Sequence, residues 1–332
     1  MTNSKNHHDT WNEPPTKHWG IDISSAKIEG IIVDEAEPDK PLYQIKTPSE
    51  RYHAYDQLRG YDHIISQVQA LLLQLEEVSG FKRPEKIGIS TPGIIDPSTG
   101  VLKNSNILCL NSYPLRQDLS TALNADVLLA NDANCFTLAE STLGAGKNYD
   151  VVMGLILDAG IGAGIVTYGH LLEGAHGIAG EWGHNPIRGK KNRCSCGQSR
   201  CNEMSFSIPA LERFYENLTG IELPFEEIVK RAESEEKAAL KTLKRLKEKF
   251  TEAIAVPINI VDPHAIIIGG AIGKLDLLYT EEIRREIIQG IFNKELKTYF
   301  LKPALGKSAT VFGAALLTQQ KHNLSIRNHS KS

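Results

Sequence analysis

The sequence predicts an α/β protein whose two domains flank a cleft. Short apolar runs typical of buried strands alternate with segments whose apolar residues recur at helical spacing. One apolar run, 127–130, ends in polar residues, and the carboxyl end of a parallel strand is where α/β proteins place their chemistry. The chain has 332 residues, enough for two domains.

The composition indicates which class of protein this is. Hydrophobic residues make up 41% and charged residues 23%, with a net charge of −3, as in an ordinary soluble globular protein. This balance favours neither a nucleic acid nor a membrane as partner, and no apolar run approaches the ~20 residues of a membrane span. The polar N-terminus has no apolar core typical of a signal peptide. The few cysteines, mostly in a metal pattern, indicate a reducing cytoplasm.

We divide the chain into two domains and two tails. The polar segments 1–17 and 321–332 are predicted to be disordered. The first domain covers 18–133 and the second covers 134–320, with a last helix that is free to return to the first domain.

The first domain begins with a hairpin. Strands are expected over 18–23 and 26–34, with a tight turn at Ser24 and Ser25 and with Asp22 at the end of the first strand. Taken alone, this pattern is also that of an ordinary surface hairpin. The hairpin is followed by a predicted helix over 61–79, a strand over 86–90, a turn over 91–93 and an extended piece over 101–106.

The next elements lead to a carboxylate. A helix is predicted over 115–124, and the buried strand after it delivers Asn131 and Asp132. Asp132 can act as a general base toward a hydroxyl group, and Asn131 can donate and accept hydrogen bonds with neighbouring hydroxyls. Asp132 could equally be the N-cap of a helix over 133–143.

A glycine-rich loop follows the buried strand predicted over 151–157. It contains Gly160, Gly162 and Gly164, and alternate glycines let backbone N–H groups approach a phosphate closely. Asp158 at its start would repel a phosphate unless Mg²⁺ intervenes. A glycine-rich hairpin without a ligand is the alternative.

Four potential metal ligands lie within eighteen residues: His184, Cys194, Cys196 and Cys201. One imidazole and three thiolates form a closed tetrahedral set, typical of a structural zinc site. The alternative is a group of unpaired core thiols.

Two acidic residues flank this metal set. Glu181 lies three residues before His184, and Glu203 lies two residues after Cys201. Because the metal would fix the direction of both carboxylates, they suit recognition of a polyhydroxy ligand. As isolated residues they would be solvated surface charges.

The remainder of the chain is predicted to be mostly helical. A helix starts at Ser207 and stops near Gly220, and a helical stretch rich in charged residues covers 225–256. A strand over 265–268 precedes Gly269 and Gly270, and the final helix covers 311–319. The apolar stripe of 225–256 is core or dimer contact.

The segment 181–203 resembles the signature of the ROK family (repressor, open reading frame, kinase), E-x-x-H followed by C-x-C-G-x-x-x-C-x-E. The N-D-A-N at 131–134 is also similar to the family's. The resemblance covers 18–318 and is closest in pattern to bacterial N-acetylglucosamine kinases and fructokinase-type members. It implies a two-domain ribonuclease H-like fold of the actin and hexokinase ATPase type, with a zinc knuckle.

The resemblance also implies site residues. Zinc would be held by His184, Cys194, Cys196 and Cys201. Sugar would be bound by Gly93, Asn104, Asn131, Asp132, Glu181, His184 and Glu203, with Asp132 as the catalytic base, and Asn106 is a further candidate. ATP would be bound by a first phosphate loop (Gly20, Asp22, Ser24, Ser25, Ala26, Lys27), a second phosphate loop (Asp158, Ala159, Gly160, Gly162, Gly164) and an adenosine site (Gly269, Gly270).

Both phosphate loops depart from the family pattern. The first normally reads G-x-D-x-G-G-T-K, and here Ser24, Ser25 and Ala26 replace two glycines and a threonine. The second normally reads G-T-G-x-G-G-G, and here Asp158 and Ala159 replace the first glycine and the threonine, and Ala163 replaces a later glycine. We therefore expect weakened ATP binding rather than none.

The resemblance implies an ATP- and Mg²⁺-dependent phosphotransferase that acts on a hydroxyl group of a hexose or an N-acetylhexosamine. N-acetylglucosamine, glucose and fructose are the candidate types, and a homodimer is expected. No helix-turn-helix precedes residue 18, so we do not expect one of the family's repressors. The alternative is a sugar-binding sensor that has lost phosphoryl transfer.

Overall fold

The computed structural model describes residues 16–49 and 57–320. The predicted tails 1–17 and 321–332 lie outside the described residues, except for Thr16 and Lys17. Lys17 already belongs to the first strand, one residue before the predicted start. None of the helices in the described ranges is both long enough and apolar enough to cross a membrane.

Twelve strands are found in the described ranges. They are β1 (Lys17–Ile23), β2 (Lys27–Asp34), β3 (Glu37–Pro48), β4 (Lys86–Thr91), β5 (Ile94–Ile95), β6 (Leu102–Lys103), β7 (Asp126–Asn131), β8 (Val151–Leu157), β9 (Ile161–Thr167), β10 (His170–Leu171), β11 (Ala265–Gly269) and β12 (Tyr299–Leu301). The α-helices of the same ranges are α1 (Gln57–Ser79), α2 (Leu115–Leu123), α3 (Asp132–Thr142), α4 (Glu203–Phe206), α5 (Ile208–Thr219), α6 (Phe225–Glu233), α7 (Lys237–Val261), α8 (Glu281–Gly290) and α9 (Ala309–Leu317).

The first sheet has the strand order β3-β2-β1-β4-β7. Strand β1 is antiparallel to β2 but parallel to β4, and β4 is parallel to β7. The carboxyl ends of β1, β4 and β7 therefore meet at one edge. Asp22 pairs with Ser90, and the next residue of β4, Thr91, pairs with Asn131. The register thus brings Asp22 and Asn131 to the same edge of the sheet.

The second sheet has the order β10-β9-β8-β11-β12. Strands β8 and β11 are parallel, and Gly269 pairs with Ile156. The loop that begins at Asp158 and the turn at Gly270 consequently lie side by side at the carboxyl edge of this sheet.

Helices α3 and α9 lie between the two sheets, and glycines let the layers approach. A Cβ atom at Gly88 in β4 would lie 1.7 Å from the carbonyl oxygen of Ala314 in α9. A Cβ atom at Gly164 in β9 would lie 2.6 Å from the hydroxyl of Thr137 in α3. Helix α9 therefore packs on the first sheet and α3 on the second.

Several features differ from the predicted elements. Strands β3, β5, β10 and β12 and helices α4 and α8 were not predicted. The single helical stretch predicted over 225–256 is wrong, because a turn after α6 separates it from α7, with Glu235 at a φ of +62°. No glycine or proline marks this turn; instead the side chain of Glu236 accepts hydrogen bonds from the Tyr215 hydroxyl at 2.7 Å and from Arg231 of α6 at 3.4 Å. Helix α7 also runs past the predicted end, to Val261.

Candidate active site

The turn from β7 into α3 places the candidate base. The side-chain oxygen of Asn131 accepts a hydrogen bond from the backbone N–H of Asn134 at 2.7 Å, so Asn131 is the N-cap of α3. The N-cap alternative for Asp132 is therefore wrong. Asp132 occupies the first helical turn, where its Oδ1 accepts from the N–H of Ala133 at 2.8 Å. This bond occupies one of two carboxylate oxygens, and burial raises the pKa of Asp132.

Asp22 is the second carboxylate at this edge and is almost completely buried. Burial raises the pKa of Asp22 to about 7; the neighbouring Ser90 hydroxyl opposes the shift, and the negative charge of Asp132 adds to it. A cation would relieve this cost, and carboxylate oxygens are ligands that Mg²⁺ accepts. The pair thus suits a site that receives a metal–phosphate group.

The four predicted zinc ligands come together. Their ligand atoms all lie within 4.8 Å of one another. The Sγ atoms of Cys196 and Cys201 are 3.7 Å apart, and Cys194 Sγ is 3.6 Å from Nδ1 of His184. Tetrahedral zinc with Zn–S bonds of ~2.3 Å would separate its ligand atoms by roughly 3.5–3.8 Å. The donor set and its spacing therefore fit a structural zinc ion.

His184 connects the zinc set with the cleft. Its Nδ1 faces the thiols, while its Nε2 lies 3.8 Å from Oε2 of Glu181. The other oxygen of Glu181 accepts from Nδ2 of Asn131 at 3.3 Å. Burial raises the pKa of Glu181, and His184 opposes part of this shift. Residues fifty positions apart in sequence, Asn131 and Glu181, thus meet across the cleft beside Asp132.

Glu203 connects the same zinc set with the second phosphate loop. Its Oε2 accepts a hydrogen bond from the backbone N–H of Ile161 at 3.0 Å, and its Oε1 lies 3.8 Å from Cys194 Sγ. A Cβ atom at Gly160 would lie 3.1 Å from the same carboxylate. Glu203 is therefore held by the loop that is the candidate for phosphate contact.

Asp158 joins the candidate second phosphate loop to the turn at Gly270. Its Oδ1 accepts from the N–H of Ala159 and its Oδ2 from the N–H of Ala271, both at 2.9 Å. Backbone N–H donors thus partly offset the negative charge of Asp158, which would otherwise repel a phosphate at this loop. Gly162 and Gly164 lie in β9 against α3, where a Cβ atom at Gly162 would be 3.0 Å from Ala133. Both glycines therefore allow β9 to pack closely on α3, besides any role in the approach of a phosphate.

The first phosphate loop closes through a serine side chain. The hydroxyl of Ser24 donates to the carbonyl of Lys27 at 2.8 Å and accepts from the N–H of Lys27 at 3.2 Å. None of Ser24, Ser25 and Ala26 has a positive φ. The turn therefore does not require the glycines that the family pattern has here.

A cavity of about 500 Å³ opens beside Gly269 and Gly270. Its lining combines Ile156, Asp158, Ile268, Gly269, Gly270, Ala271, Gly273 and Lys274 with Phe136 of α3 and with Lys302, Pro303, Gly306, Lys307, Ala309 and Thr310. Of this lining, sequence reasoning named only Asp158, Gly269 and Gly270, and it missed the rest, including Phe136 and the residues between 302 and 310. The only local signal was Gly306 ahead of the apolar final helix.

The remaining sugar candidates lie near the β5–β6 hairpin. Gly93 has a φ of +99°, and a Cβ atom there would lie 2.7 Å from the carbonyl oxygen of Lys103. Asn104 follows Lys103 in a left-handed conformation, and both Asn104 and Asn106 are exposed. The structure thus brings Gly93 and Asn104 together, although no hydrogen bond connects either of them to Asp132 in the described residues.

Comparison with known proteins is consistent with this arrangement. A sequence model described as "ROK family" matches residues 18–321. The chain is 32% identical to an N-acetyl-D-glucosamine kinase of Pectobacterium atrosepticum over 272 residues, which cover 79% of this chain and 86% of that protein. It is 31% identical to a glucokinase of Thermotoga maritima over 280 residues, which cover 79% of this chain and 87% of that protein.

The solved structure of a ROK hexokinase from Thermus thermophilus is similar to this one, with a TM-score of 0.77 and 25% identity. The similarity covers 91% of this chain and 97% of that chain. The predicted two-domain fold of the actin and hexokinase type is thereby confirmed.

Proposed function

Because the chain belongs to the ROK family, we propose that it is a sugar kinase that transfers the γ-phosphoryl group of ATP to a hydroxyl group of a hexose or an N-acetylhexosamine. The relatives at about 30% identity are kinases of N-acetylglucosamine and of glucose, which supports this reaction class. One observation carries the proposal for this chain. Asn131 and Asp132 at the end of β7 face Glu181 and His184 of the zinc side, linked by the 3.3 Å hydrogen bond between Asn131 and Glu181.

Asp132 is the proposed general base. In the reaction the bond between the γ-phosphorus and the bridging oxygen breaks, and a bond from the sugar oxygen to the γ-phosphorus forms. The hydroxyl proton moves to the Asp132 carboxylate, and ADP leaves with the bridging oxygen. Burial raises the pKa of Asp132, which makes its carboxylate a stronger base than an exposed aspartate.

The sugar would be oriented by side chains anchored to the zinc set. Glu181, Glu203 and the Nε2 atom of His184 offer hydrogen bonds to hydroxyl groups, and Asn131 adds a donor and an acceptor. Zinc bound through Nδ1 of His184 would fix the direction of Nε2. The zinc site is structural in this proposal, since four protein ligands leave no position for a reacting group.

ATP would lie between the two phosphate loops, with its base in the 500 Å³ cavity beside Gly269 and Gly270. Mg²⁺ that accompanies ATP would be held by Asp22, whose burial makes a nearby cation favourable. The backbone N–H groups of Gly160, Ser25 and Ala26 are the candidate phosphate donors, together with the Lys27 ammonium, because the N–H groups of Ser24 and Lys27 are bonded within their own turn.

Within this class, we propose N-acetylglucosamine as the first substrate to test, because several of the relatives are named for it. A cytoplasmic location is supported by a thiol set that requires reducing conditions to bind zinc. The homodimer stays a prediction.

A coupled ADP-release assay with a panel of hexoses and N-acetylhexosamines tests the proposal. We expect turnover that depends on both ATP and one or more of these sugars. If the protein binds a sugar by calorimetry but releases no ADP with any of them, the sensor alternative replaces the kinase.

A further inference from the structure

Residues 302–308 form one wall of the nucleotide cavity, and we call them the wall segment. They run from the end of β12 to the start of α9, and Lys302, Pro303, Gly306 and Lys307 line the cavity. The segment has no regular structure apart from one short 3₁₀ turn at its end. Its position therefore depends on contacts with the rest of the protein.

Glu140 holds the middle of the wall segment. Its side chain is near the end of α3 and is fully buried. Oε1 accepts from the N–H of Leu305 at 2.8 Å, and Oε2 accepts from the N–H groups of Ala304 and Ala145 at 3.0 Å each. A Cβ atom at Gly144 would lie 2.0 Å from Oε2. Glycine at this position thus leaves room for the carboxylate.

Glu29 holds the end of the wall segment from the other sheet. It lies in β2 with 1% of its side chain exposed. Its Oε1 accepts from the hydroxyl of Ser308 at 3.0 Å and from Nε2 of Gln44. Its Oε2 pairs with the ammonium group of Lys27, the lysine of the first phosphate loop. A single buried carboxylate therefore joins the wall segment to a candidate phosphate-binding lysine.

We propose that Glu29 and Glu140 are positioning residues for the nucleotide, which fix the wall segment between the two sheets and hold Lys27 in register with it. This inference rests on the proposed kinase function. A purely structural role would require only that these carboxylates be satisfied by any buried donors. Here four of the donors belong to the wall segment or to the phosphate loop, namely Ala304, Leu305, Ser308 and Lys27. The other donors, Ala145, Gln44 and Lys46, lie outside both.

Helix α3 adds a connection with the catalytic base. Glu140 lies eight positions after Asp132 on the same helix, about 12 Å along its axis. One rigid element thus carries both the proposed base and the main anchor of the wall segment. A shift of this anchor should alter how the donor nucleotide meets the base, while the sugar contacts at Glu181 and His184 stay in place.

Glu140→Gln is the main test variant. It keeps the shape of the side chain but replaces one acceptor oxygen with an NH₂ group, which faces a backbone N–H that it cannot satisfy. Ser308→Ala is the milder second variant, because it removes the link to Glu29 without leaving a buried charge unpaired. Glu236→Gln is the control: Glu236 accepts a 2.7 Å hydrogen bond from the Tyr215 hydroxyl, and neither residue lines the cavity.

The experiment measures kcat, the KM for ATP and the KM for the sugar, together with Tm. We expect Glu140→Gln to raise the KM for ATP about 10- to 100-fold, as for the loss of one hydrogen bond to a buried charge. Ser308→Ala should raise it by a few-fold. The KM for the sugar should change less than about twofold in both variants, and the control should change neither constant.

Two results would overturn the inference: an ATP KM within about twofold of wild type in both test variants, or an equal rise in the two KM values. If Glu140→Gln does not fold, the KM values of Ser308→Ala for ATP and for the sugar alone test the inference. Calorimetric titration with a non-hydrolysable ATP analogue separates this inference from the kinase proposal. If the wild type binds the analogue but shows no turnover, the kinase proposal is wrong. The ratio of the analogue Kd of each variant to that of the wild type then tests this inference. A wild type that binds no analogue contradicts both.

Discussion

In the proposed function, the two sides of the cleft would recognise their ligands with different parts of the chain. On the proposed sugar side, Asn131, Asp132, Glu181 and His184 would act through side chains, and their identities match the family pattern. On the proposed nucleotide side, the loops at Ser24 and Asp158 would offer mainly backbone N–H groups, and their identities depart from that pattern. Side-chain recognition fails when a residue changes, whereas backbone recognition survives if the new residue keeps the loop's shape.

The structure shows how the nucleotide side keeps its shape. The hydroxyl of Ser24 closes its turn through two hydrogen bonds with Lys27, at φ values that need no glycine. The carboxylate of Asp158 accepts a hydrogen bond from the N–H of Ala271 and so fixes the turn at Gly270. The altered residues thus make contacts of their own, and we expect substitutions on the sugar side to have the larger effects.

Asp132→Asn should have the largest effect. The amide keeps the shape of the side chain but cannot take the proton, so kcat should fall about 10²- to 10⁴-fold while sugar affinity changes little. Steady-state kinetics and sugar calorimetry measure both quantities. Asp126→Asn, at the exposed start of the same strand, is the matched control. Near wild-type turnover by Asp132→Asn would remove this residue from the mechanism.

Asp22→Asn should stabilise the Mg²⁺-free protein above neutral pH. Burial raises the folded-state pKa of Asp22 to about 7. Because the folded protein favours the protonated carboxyl group, the resulting stability is fully present below the pKa of the unfolded state near ~4. It is lost as pH rises through about 7. At pH 8 the variant should gain up to about 4 kcal/mol in the free energy of unfolding, and at pH 4 almost nothing. Denaturant unfolding curves that show the same difference at both pH values would contradict this assignment.

Cys201→Ser should lose zinc and sugar affinity together. Bound zinc would fix His184 and the acids beside it, so we expect its loss to lower sugar affinity about 10- to 100-fold. Elemental analysis and sugar calorimetry provide the measurements, with Cys109→Ser as a control outside the metal set. Wild-type protein that contains less than about half an equivalent of zinc would argue against the site.

Restoring the family residues in the phosphate loops should have the smallest effect. Ala26→Thr with Ala159→Thr adds two hydroxyls near the phosphates and keeps the Ser24 bonds, so kcat/KM for ATP should rise about tenfold at limiting ATP. Adding Ser24→Gly and Ser25→Gly should then cost about 1 kcal/mol of stability, because the Ser24 turn bonds are lost. An unchanged kcat/KM in the double variant would mean that other contacts already replace the two threonine hydroxyls of the family pattern.

The sugar side could be predicted from the sequence because its chemistry lies in residue types at fixed spacing. The four zinc ligands lie within eighteen residues, and the N-D-A-N turn is continuous. The partner of Asp158 could not be predicted, because Ala271 contributes only a backbone N–H, which no residue identity reveals. Glu140 likewise resembled any helical glutamate, since its three donors are backbone groups, two of them from the distant segment at Ala304 and Leu305 and one from the nearby Ala145.

Helix boundaries show a similar limit. The turn between α6 and α7 is held by hydrogen bonds that Glu236 accepts from Tyr215 and Arg231, and charged residues on both sides of the turn continue the helical pattern. The N-cap of α3 depended on a one-residue choice between Asn131 and Asp132, which have nearly equal preference for that position. Tertiary packing decides such cases.

Titration of a non-hydrolysable ATP analogue into wild-type protein saturated with N-acetylglucosamine tests most directly whether the altered nucleotide side still binds ATP. We predict one site per chain, with a Kd between about 1 μM and a few mM, the range of ordinary enzyme substrates. Sugar binding in the absence of any analogue binding up to about 10 mM would contradict the account, because the altered loops would then have lost the nucleotide.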